Sequence, residues 1–350
     1  MVGAVLVRGG KVIGEGWHRR AGGPHAEVEA LRDAARRGER VRGATLYVTL
    51  EPCCTHGRTP PCTEAILAAG IRRVVVATTD PNPNHAGKGL EILRNAGVKV
   101  DLAEAASEVA TEAARLNEAF NHWIVQRTPF VTVKAAMTLD GKIATASGES
   151  KWITGEPARR MGMQLRFASD AVLVGINTVL ADNPSLTARG SGGRIRKPLR
   201  RIVLDALART PPNAMLASDE FAASTTVVVS RAAPAQRVRA LARQVRVVVA
   251  PAQTGRINLR WLLKRLGTEG VTRLLVEGGG EVNAAFLEAG LAQRVAFFYA
   301  PKILGGRDAR RGVAGEGAKR LTDLIQLREV EWRRVGEDLM LSARVGKDQD

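Results

Sequence analysis

The chain has 350 residues, enough for two domains of ordinary size, each with its own core. Three cysteines, no apolar run long enough to span a bilayer and no signal peptide exclude a disulfide-stapled secreted scaffold and an integral membrane protein, and set the expectation of a reducing, cytoplasmic location without a membrane partner. The net charge of +17 is uneven, with 17 basic and 14 acidic side chains in residues 1–127 against 35 and 21 in residues 128–350, so the second half suits a phosphate-rich ligand, while two tyrosines leave little for base stacking and argue against nucleic acid.

Alternation in residues 2–7 and 11–16 around Gly9-Gly10 predicts a hairpin. Pro24 and the period Val28, Leu31, Ala34, Ala35 predict a helix starting near His25. Residues 45–49 read as a strand delivering Glu51 and Cys53, and Cys62, after Pro60-Pro61, opens an apolar helix closed by Gly70. A strand at 73–78, a helix after Gly87, a strand at 98–102 and one long amphipathic helix at 105–123 complete a layered α/β domain. The boundary falls at Gln126-Arg127-Thr128-Pro129, giving expected domains at 1–125 and 128–346. The second domain alternates again: strands at 130–136, 171–174, 201–204, 225–229, 245–249, 273–276 and 294–299, with helices near 158–167, from Asn258 and from Gly280. Only residues 347–350 read as a loose tail.

His25-Ala26-Glu27, Pro52-Cys53 and Cys62 supply one imidazole, two thiolates and a carboxylate that is not needed as a ligand, the His-x-Glu and Pro-Cys pattern of zinc deaminases. Zinc held by three protein groups keeps a fourth position open for water and lowers that water's pKa from about 15.7 to roughly 7, worth on the order of 12 kcal/mol in hydroxide availability. His25 and Glu27 stand two apart and reach one site only from a helix's leading turn. Cys54 reads as a spare buried thiol. In the second domain Glu277 follows a strand, and Gly278-Gly279-Gly280 feeds a helix, a turn that presents free N–H groups and a positive dipole end to phosphate. The structural alternative, a plain glycine turn, stays open on spacing alone.

The run Glu51-Pro52-Cys53-Cys54-Thr55-His56-Gly57-Arg58-Thr59-Pro60-Pro61-Cys62 separates its outer cysteines more widely than ordinary cytidine deaminases do. Together with Asp80-Pro81-Asn82-Pro83, Gly87-Lys88-Gly89-Leu90, Lys134, Thr138-Leu139-Asp140-Gly141-Lys142-Ile143-Ala144, Ser150-Lys151-Trp152-Ile153-Thr154, Asp182-Asn183-Pro184-Ser185-Leu186-Thr187 and Glu277-Gly278-Gly279-Gly280, it resembles the bifunctional riboflavin-biosynthesis deaminase–reductase family over nearly the whole chain. The resemblance implies a cytidine-deaminase-like layered α/β/α domain followed by a dihydrofolate-reductase-like α/β domain. It also implies two consecutive reactions: zinc-dependent hydrolytic deamination of 2,5-diamino-6-(5-phosphoribosylamino)pyrimidin-4(3H)-one, then NADPH reduction of the ribosyl group to ribityl. By motif position Glu27 is the catalytic proton carrier and His25, Cys53 and Cys62 the metal ligands. Ala136, Trp152, Thr178, Asp182, Gly279, Gly280, Glu281, Val282, Asn283, Ala284 and Ala285 are implied along NADPH. His18, Arg58, Ser150, Arg166, Leu186, Arg189 and Glu277 are implied on the phosphorylated pyrimidine substrate, in a homo-oligomer.

Two departures accompany the match. Family members carry a helix and a Pro-Asn-Pro segment before the counterpart of Val2-Gly3, so the chain is expected to begin inside its first strand with an incomplete pyrimidine pocket. A histidine usual two residues after the first cysteine is Thr55 here, with His56 one further on. The other readings are a base or nucleoside deaminase with an appended nucleotide-binding domain, a reductase with an impaired deaminase domain, and a zinc-stabilised nucleotide-binding regulator. Glu27 argues against the regulator, because structural zinc has no use for a free carboxylate beside an open position.

Overall fold

Leu6, Ile13 and Leu46 bury one face of the first strands, and the helix laid on that face is buried against them at three alanines, Ala26, Ala30 and Ala34. The reason is close approach. A Cβ on Gly16 would stand 2.3 Å from the Ala26 carbonyl oxygen, and one on Gly14 would stand 2.5 Å from that of Ala30. In the computed structural model, which describes residues 1–20, 22–57, 59–190, 195–197, 199–253 and 256–346, the chain divides into two units, Met1–Arg127 and Thr128–Asp350.

The first unit runs β1 (Gly3–Arg8), β2 (Lys11–Trp17), α1 (Ala26–Arg36), β3 (Thr45–Val48), α2 (Cys62–Ala68), β4 (Arg73–Val76), α3 (Lys88–Asn95), β5 (Lys99–Leu102), α4 (Glu108–Leu116) and α5 (Glu118–Gln126). Its sheet has the order β2-β1-β3-β4-β5, with β1 antiparallel to both neighbours and β3, β4 and β5 parallel. The single helix expected at 105–123 is two helices. It breaks at Asn117 (φ −109°, ψ 8°), which is buried and whose side-chain oxygen accepts from the Met1 amine.

The second unit runs β6 (Phe130–Thr138), β7 (Lys142–Ala144), α6 (Glu156–Ala168), β8 (Ala171–Gly175), α7 (Ile176–Asp182), β9 (Ala188–Arg189), β10 (Ile195–Lys197), β11 (Arg200–Leu204), α8 (Met215–Ser218), β12 (Thr225–Val229) and α9 (Ala235–Ala242). It continues with β13 (Arg246–Val249), β14 (Ala252–Gln253), β15 (Arg256–Ile257), α10 (Leu259–Thr268), β16 (Arg273–Val276), α11 (Gly280–Glu288), β17 (Arg294–Ala300), β18 (Arg310–Arg311), β19 (Leu327–Val335) and β20 (Asp338–Val345). The main sheet has the order β13-β12-β11-β8-β16-β6-β17-β20-β19, parallel as far as β17 and antiparallel through β20 and β19. Helices cover both faces of the parallel part, so β8 and β12 are buried at every position, β8 as an apolar run and β12 as a β-branched run of two threonines and three valines. The hairpin of β19 and β20 and the helix α7 were not expected. β19 is an edge strand with Glu and Arg along it, so its composition hides it.

Arg201, at the start of β11, is completely buried. It donates to both Asp219 oxygens at 2.7 Å and to Thr225 Oγ1, the Leu216 carbonyl and the Ser185 carbonyl, each at 2.9 Å. All five guanidinium protons are used, and the segment carrying Ser185 is fastened to the sheet. Among the described residues, no helix is long and apolar enough to cross a membrane.

Candidate active sites

The first unit brings His25, Cys53 and Cys62 together. His25 is the residue before α1, Cys53 lies beyond the end of β3, and Cys62 is the first residue of α2. The His25 Nδ1 atom stands 3.3 Å from the Sγ of Cys53 and 3.3 Å from that of Cys62. Tetrahedral zinc with N and S ligands sets its donor atoms roughly 3.5 Å apart, so the three fit that ion. His25 Nε2, turned the other way, meets Thr59 Oγ1 at 3.3 Å, an outer contact that leaves Nδ1 facing the thiols. The two sulfurs are not equivalent. Hydrogen bonds from the Cys62 thiol and His25 draw the Cys53 pKa down to about 4, whereas donation to Cys53 and burial push Cys62 up. A metal ion would take both as thiolates.

Glu27 is the second residue of α1, in its first turn, and is 3 % exposed. Burial raises its pKa to about 7. A carboxylate in that range can both accept and return a proton at neutral pH. His18 packs its ring edge-on to His25 at 5.2 Å and meets the Pro24 carbonyl through Nδ1 at 3.0 Å. Arg58 lies outside the described residues. Cys54 is half-buried rather than a core thiol, with its Sγ 3.7 Å from His85 Nδ1, while Thr55 Oγ1 meets His85 Nε2 at 3.3 Å. His56 is exposed and faces Glu64.

Glu51 is buried beside the ligands and plays a supporting part. Its carboxylate accepts from the backbone N–H groups of Asp80 (3.1 Å), Gly87 (2.9 Å) and Gly89 (2.9 Å). This accounts for the Asp80-Pro81-Asn82-Pro83 and Gly87-Lys88-Gly89 motifs. A Cβ on Gly89 would fall 2.2 Å from the Pro52 carbonyl oxygen, so that loop closes only around glycine.

In the second unit a cavity of about 710 Å³ opens beyond the carboxyl ends of β8 and β11 and at the N-terminus of α11, where ligands sit in open α/β sheets. Its walls include Ser150, Thr178, Asp182, Gly279, Gly280, Glu281 and Val282 of the expected set, and also Asn177, Arg310 and Arg311, which motif reading missed. Gly279 caps α11, and a Cβ there would meet only Thr178 Oγ1, at 3.9 Å. The capping glycine therefore faces open space; the Val282 N–H turns back to the Gly279 carbonyl at 3.0 Å, while the Gly280 and Glu281 N–H groups precede the first helical carbonyl. Cavity size, glycine cap and dipole fit the phosphates of a dinucleotide.

Beside this cavity Arg166 and Glu277 form a two-bond pair, Nε to Oε1 at 2.8 Å and Nη2 to Oε2 at 2.7 Å, with side chains 17 % and 11 % exposed. Burial opposes the Glu277 charge, but Arg166 and Lys134 outweigh it and hold its pKa at about 2. Arg166 Nη1 also donates to the Thr187 carbonyl at 3.0 Å, and Arg189 reaches Thr187 Oγ1 and Ser185 Oγ.

The two halves of the chain match different families. Residues 1–78 match the cytidine and deoxycytidylate deaminase zinc-binding region, and residues 129–341 match the RibD C-terminal domain. The riboflavin biosynthesis protein RibD of Aquifex aeolicus is 43 % identical over 97 % of this chain and 90 % of its own. The chain belongs to the RibD family. Among RibD structures, that of Acinetobacter baumannii matches with a TM-score of 0.83 at 36 % identity, covering 99 % of this chain and 92 % of its own. A diaminohydroxyphosphoribosylaminopyrimidine deaminase / 5-amino-6-(5-phosphoribosylamino)uracil reductase from Thermotoga maritima matches with a TM-score of 0.77, also at 36 % identity and with the same coverage of both chains. The fold is thus a cytidine-deaminase-like unit followed by a RibD reductase unit of the dihydrofolate-reductase type.

Other residues carried over by motif lie away from the cavity wall. The Leu186 side chain is in the core, and its φ of 51° is one a branched residue rarely adopts. Asn283 and Ala284 are buried, and Asn283 Nδ2 donates to the Gly312 carbonyl at 2.8 Å. Ala285 follows them along the same helix, outside the cavity wall. Ala136 packs by Phe298, and Trp152 is exposed beneath the Arg159 guanidinium at 4.7 Å; neither lines the cavity.

Proposed function

We propose that the protein is a bifunctional enzyme of riboflavin biosynthesis. Its first unit hydrolytically deaminates 2,5-diamino-6-(5-phosphoribosylamino)pyrimidin-4(3H)-one, and its second unit uses NADPH to reduce the ribosyl side chain of the deaminated product. The observation that carries the reading is the meeting of His25, Cys53 and Cys62 beside a buried Glu27 in a chain whose second unit is a RibD reductase domain. Residues 1–125 carry the deaminase and residues 128–346 the reductase.

Zinc, when bound by His25, Cys53 and Cys62, supplies the acidity that makes hydroxide available from water at neutral pH. Glu27 takes a proton from the attacking water, delivers it to the pyrimidine ring nitrogen and passes the next to the departing ammonia. Its burial keeps it from bulk water between transfers. His18, at the same rim, and Arg58 by motif position contact the substrate.

NADPH, when bound, supplies the hydride for the second reaction. The cap of α11 and the walls at Thr178 and Asp182 hold and orient the dinucleotide. Ser150, Arg166, Arg189 and Glu277 then meet the phosphorylated pyrimidine, with the Arg166–Glu277 pair fixing its direction of approach. The test is to incubate the purified protein and zinc with the diaminopyrimidinone ribosyl phosphate, with and without NADPH, and to weigh the products. Deaminated ribosyl product without NADPH and ribityl product with it are expected; an unchanged diaminopyrimidinone in both would overturn the reading.

A further inference from the structure

The segment between β17 and β19 is built to place two arginines. Asp140, in the turn after β6, accepts from the backbone N–H groups of Leu304 (3.0 Å) and Gly305 (2.8 Å). β18, which is Arg310 and Arg311, pairs antiparallel with β7. Beyond it the Gly312 N–H donates to the Gly141 carbonyl at 2.8 Å, Asn283 holds the Gly312 carbonyl, and the Ala314 N–H donates to the Gly280 carbonyl at 3.1 Å. A Cβ on Gly280 would stand 2.2 Å from the Arg311 carbonyl oxygen, so the strand lies directly on the first residue of α11. The strand is thus tied on both sides, to the 138–141 turn and to the helix.

Its two side chains make no such ties. Among the described residues neither guanidinium has a hydrogen bond or an ion pair. Neighbours on a regular strand point to opposite faces, but the register is irregular between Arg310 and Arg311, and both line the cavity. Arg310 Nη2 reaches the far wall, 3.5 Å from where a Cβ of Gly148 would be. The carboxylates on the same walls are Asp182, which already accepts from Ser150 Oγ at 3.1 Å, and Glu281 in the first turn of α11.

We propose that Arg310 and Arg311 hold the pyrophosphate of the dinucleotide against the N-terminus of α11. This rests on reading the cavity as the NADPH site. Pyrophosphate is common to NADPH and NADH, and a planar guanidinium binds it through paired hydrogen bonds. The position over the helix start assigns the pair to that group and away from the extra phosphate that distinguishes NADPH.

The test is calorimetric titration of the full chain with NADPH and with NADH, as wild type, as the double variant Arg310→Gln/Arg311→Gln, and as the double variant Arg310→Lys/Arg311→Lys. The glutamine variant is expected to lose roughly ten- to a hundredfold in affinity for both dinucleotides, leaving their ratio unchanged. The lysine variant keeps the charge and is expected to lose less. Unchanged affinities in both variants, or a loss confined to NADPH, would overturn the assignment. A wild-type protein that binds neither dinucleotide would instead overturn the cofactor reading, and this inference with it. Both side chains are exposed, so the variants should melt with the wild type; if the glutamine variant melts earlier, the lysine variant decides.

Discussion

Cys62 and Glu27 are both buried at helix starts, yet their removal should fail in different ways. Cys62→Ala removes a metal ligand and is expected to lose zinc and ammonia release together. Glu27→Gln is nearly isosteric and should keep stoichiometric zinc by elemental analysis while losing turnover, and it should still reduce already deaminated substrate. Zinc retained at full stoichiometry in Cys62→Ala would remove that residue from the ligand set. This site was legible because its chemistry lies in short local motifs. The Arg166–Glu277 pair was not legible as a pair, since 111 positions separate its members and only the fold brings them together. Glu277→Gln leaves the Arg166 charge buried without its partner and is expected to cost about 3–5 kcal/mol at neutral pH. The Glu277 pKa of about 2 lies below the ordinary carboxylate value of 4.5. The pair's contribution is therefore complete above about pH 4.5 and disappears as pH falls through about 2. Urea titrations of both proteins at stepped pH should converge over that window, and a gap that stays constant would contradict it.

The glycine turn before α11 separates two roles that sequence alone ran together. A side chain at Gly279 enters the cavity, whereas one at Gly280 strikes the Arg311 backbone. Gly279→Val is accordingly expected to melt with the wild type and bind NADPH poorly, and Gly280→Ala to melt earlier by an amount matching roughly 1–3 kcal/mol of forced repacking. Equal melting temperatures for the two variants would show the distinction to be mistaken. Strands buried on both faces, such as β12, were readable to the residue because packing demands β-branched side chains throughout. The break at Asn117 was not, because amphipathic spacing continues across it and only the buried amide reveals the turn. The β19–β20 hairpin escaped for a different reason: its outer strand is rich in Glu and Arg, and its alternating apolar residues, Val330 and Trp332, face solvent rather than a core.

At the scale of the molecule, each unit keeps its own core, one cluster centred on Leu6, Leu46 and Val74 and others on β6, β8 and β16. Charge divides between them as well, +3 on residues 1–127 and +14 on residues 128–350. Screening shortens from about 10 Å at 0.1 M salt to about 3 Å at 1 M. NADPH binding to the second unit should therefore weaken as salt rises, while deaminase KM at the nearly balanced first unit changes less. Titrations across that range test this, and equal salt slopes for the two ligands would count against it. The two-unit plan was visible from Pro129 and the fresh strand behind it. The charge asymmetry was visible too, but the cavity that gives it a use depends on strand order, which no local pattern encodes.

The carboxylate of Glu51, gripped by the N–H groups of Asp80, Gly87 and Gly89, makes a remote loop answer for the metal centre. Those three amides sit on a segment without a zinc ligand, but their protection from deuterium exchange depends on the chain just before Cys53 staying in place. Slow exchange at all three, lost together when Glu51 becomes Gln or Ala, would turn the loop into an isotopic gauge of how firmly the sulfur is held, readable without any assay of metal or turnover.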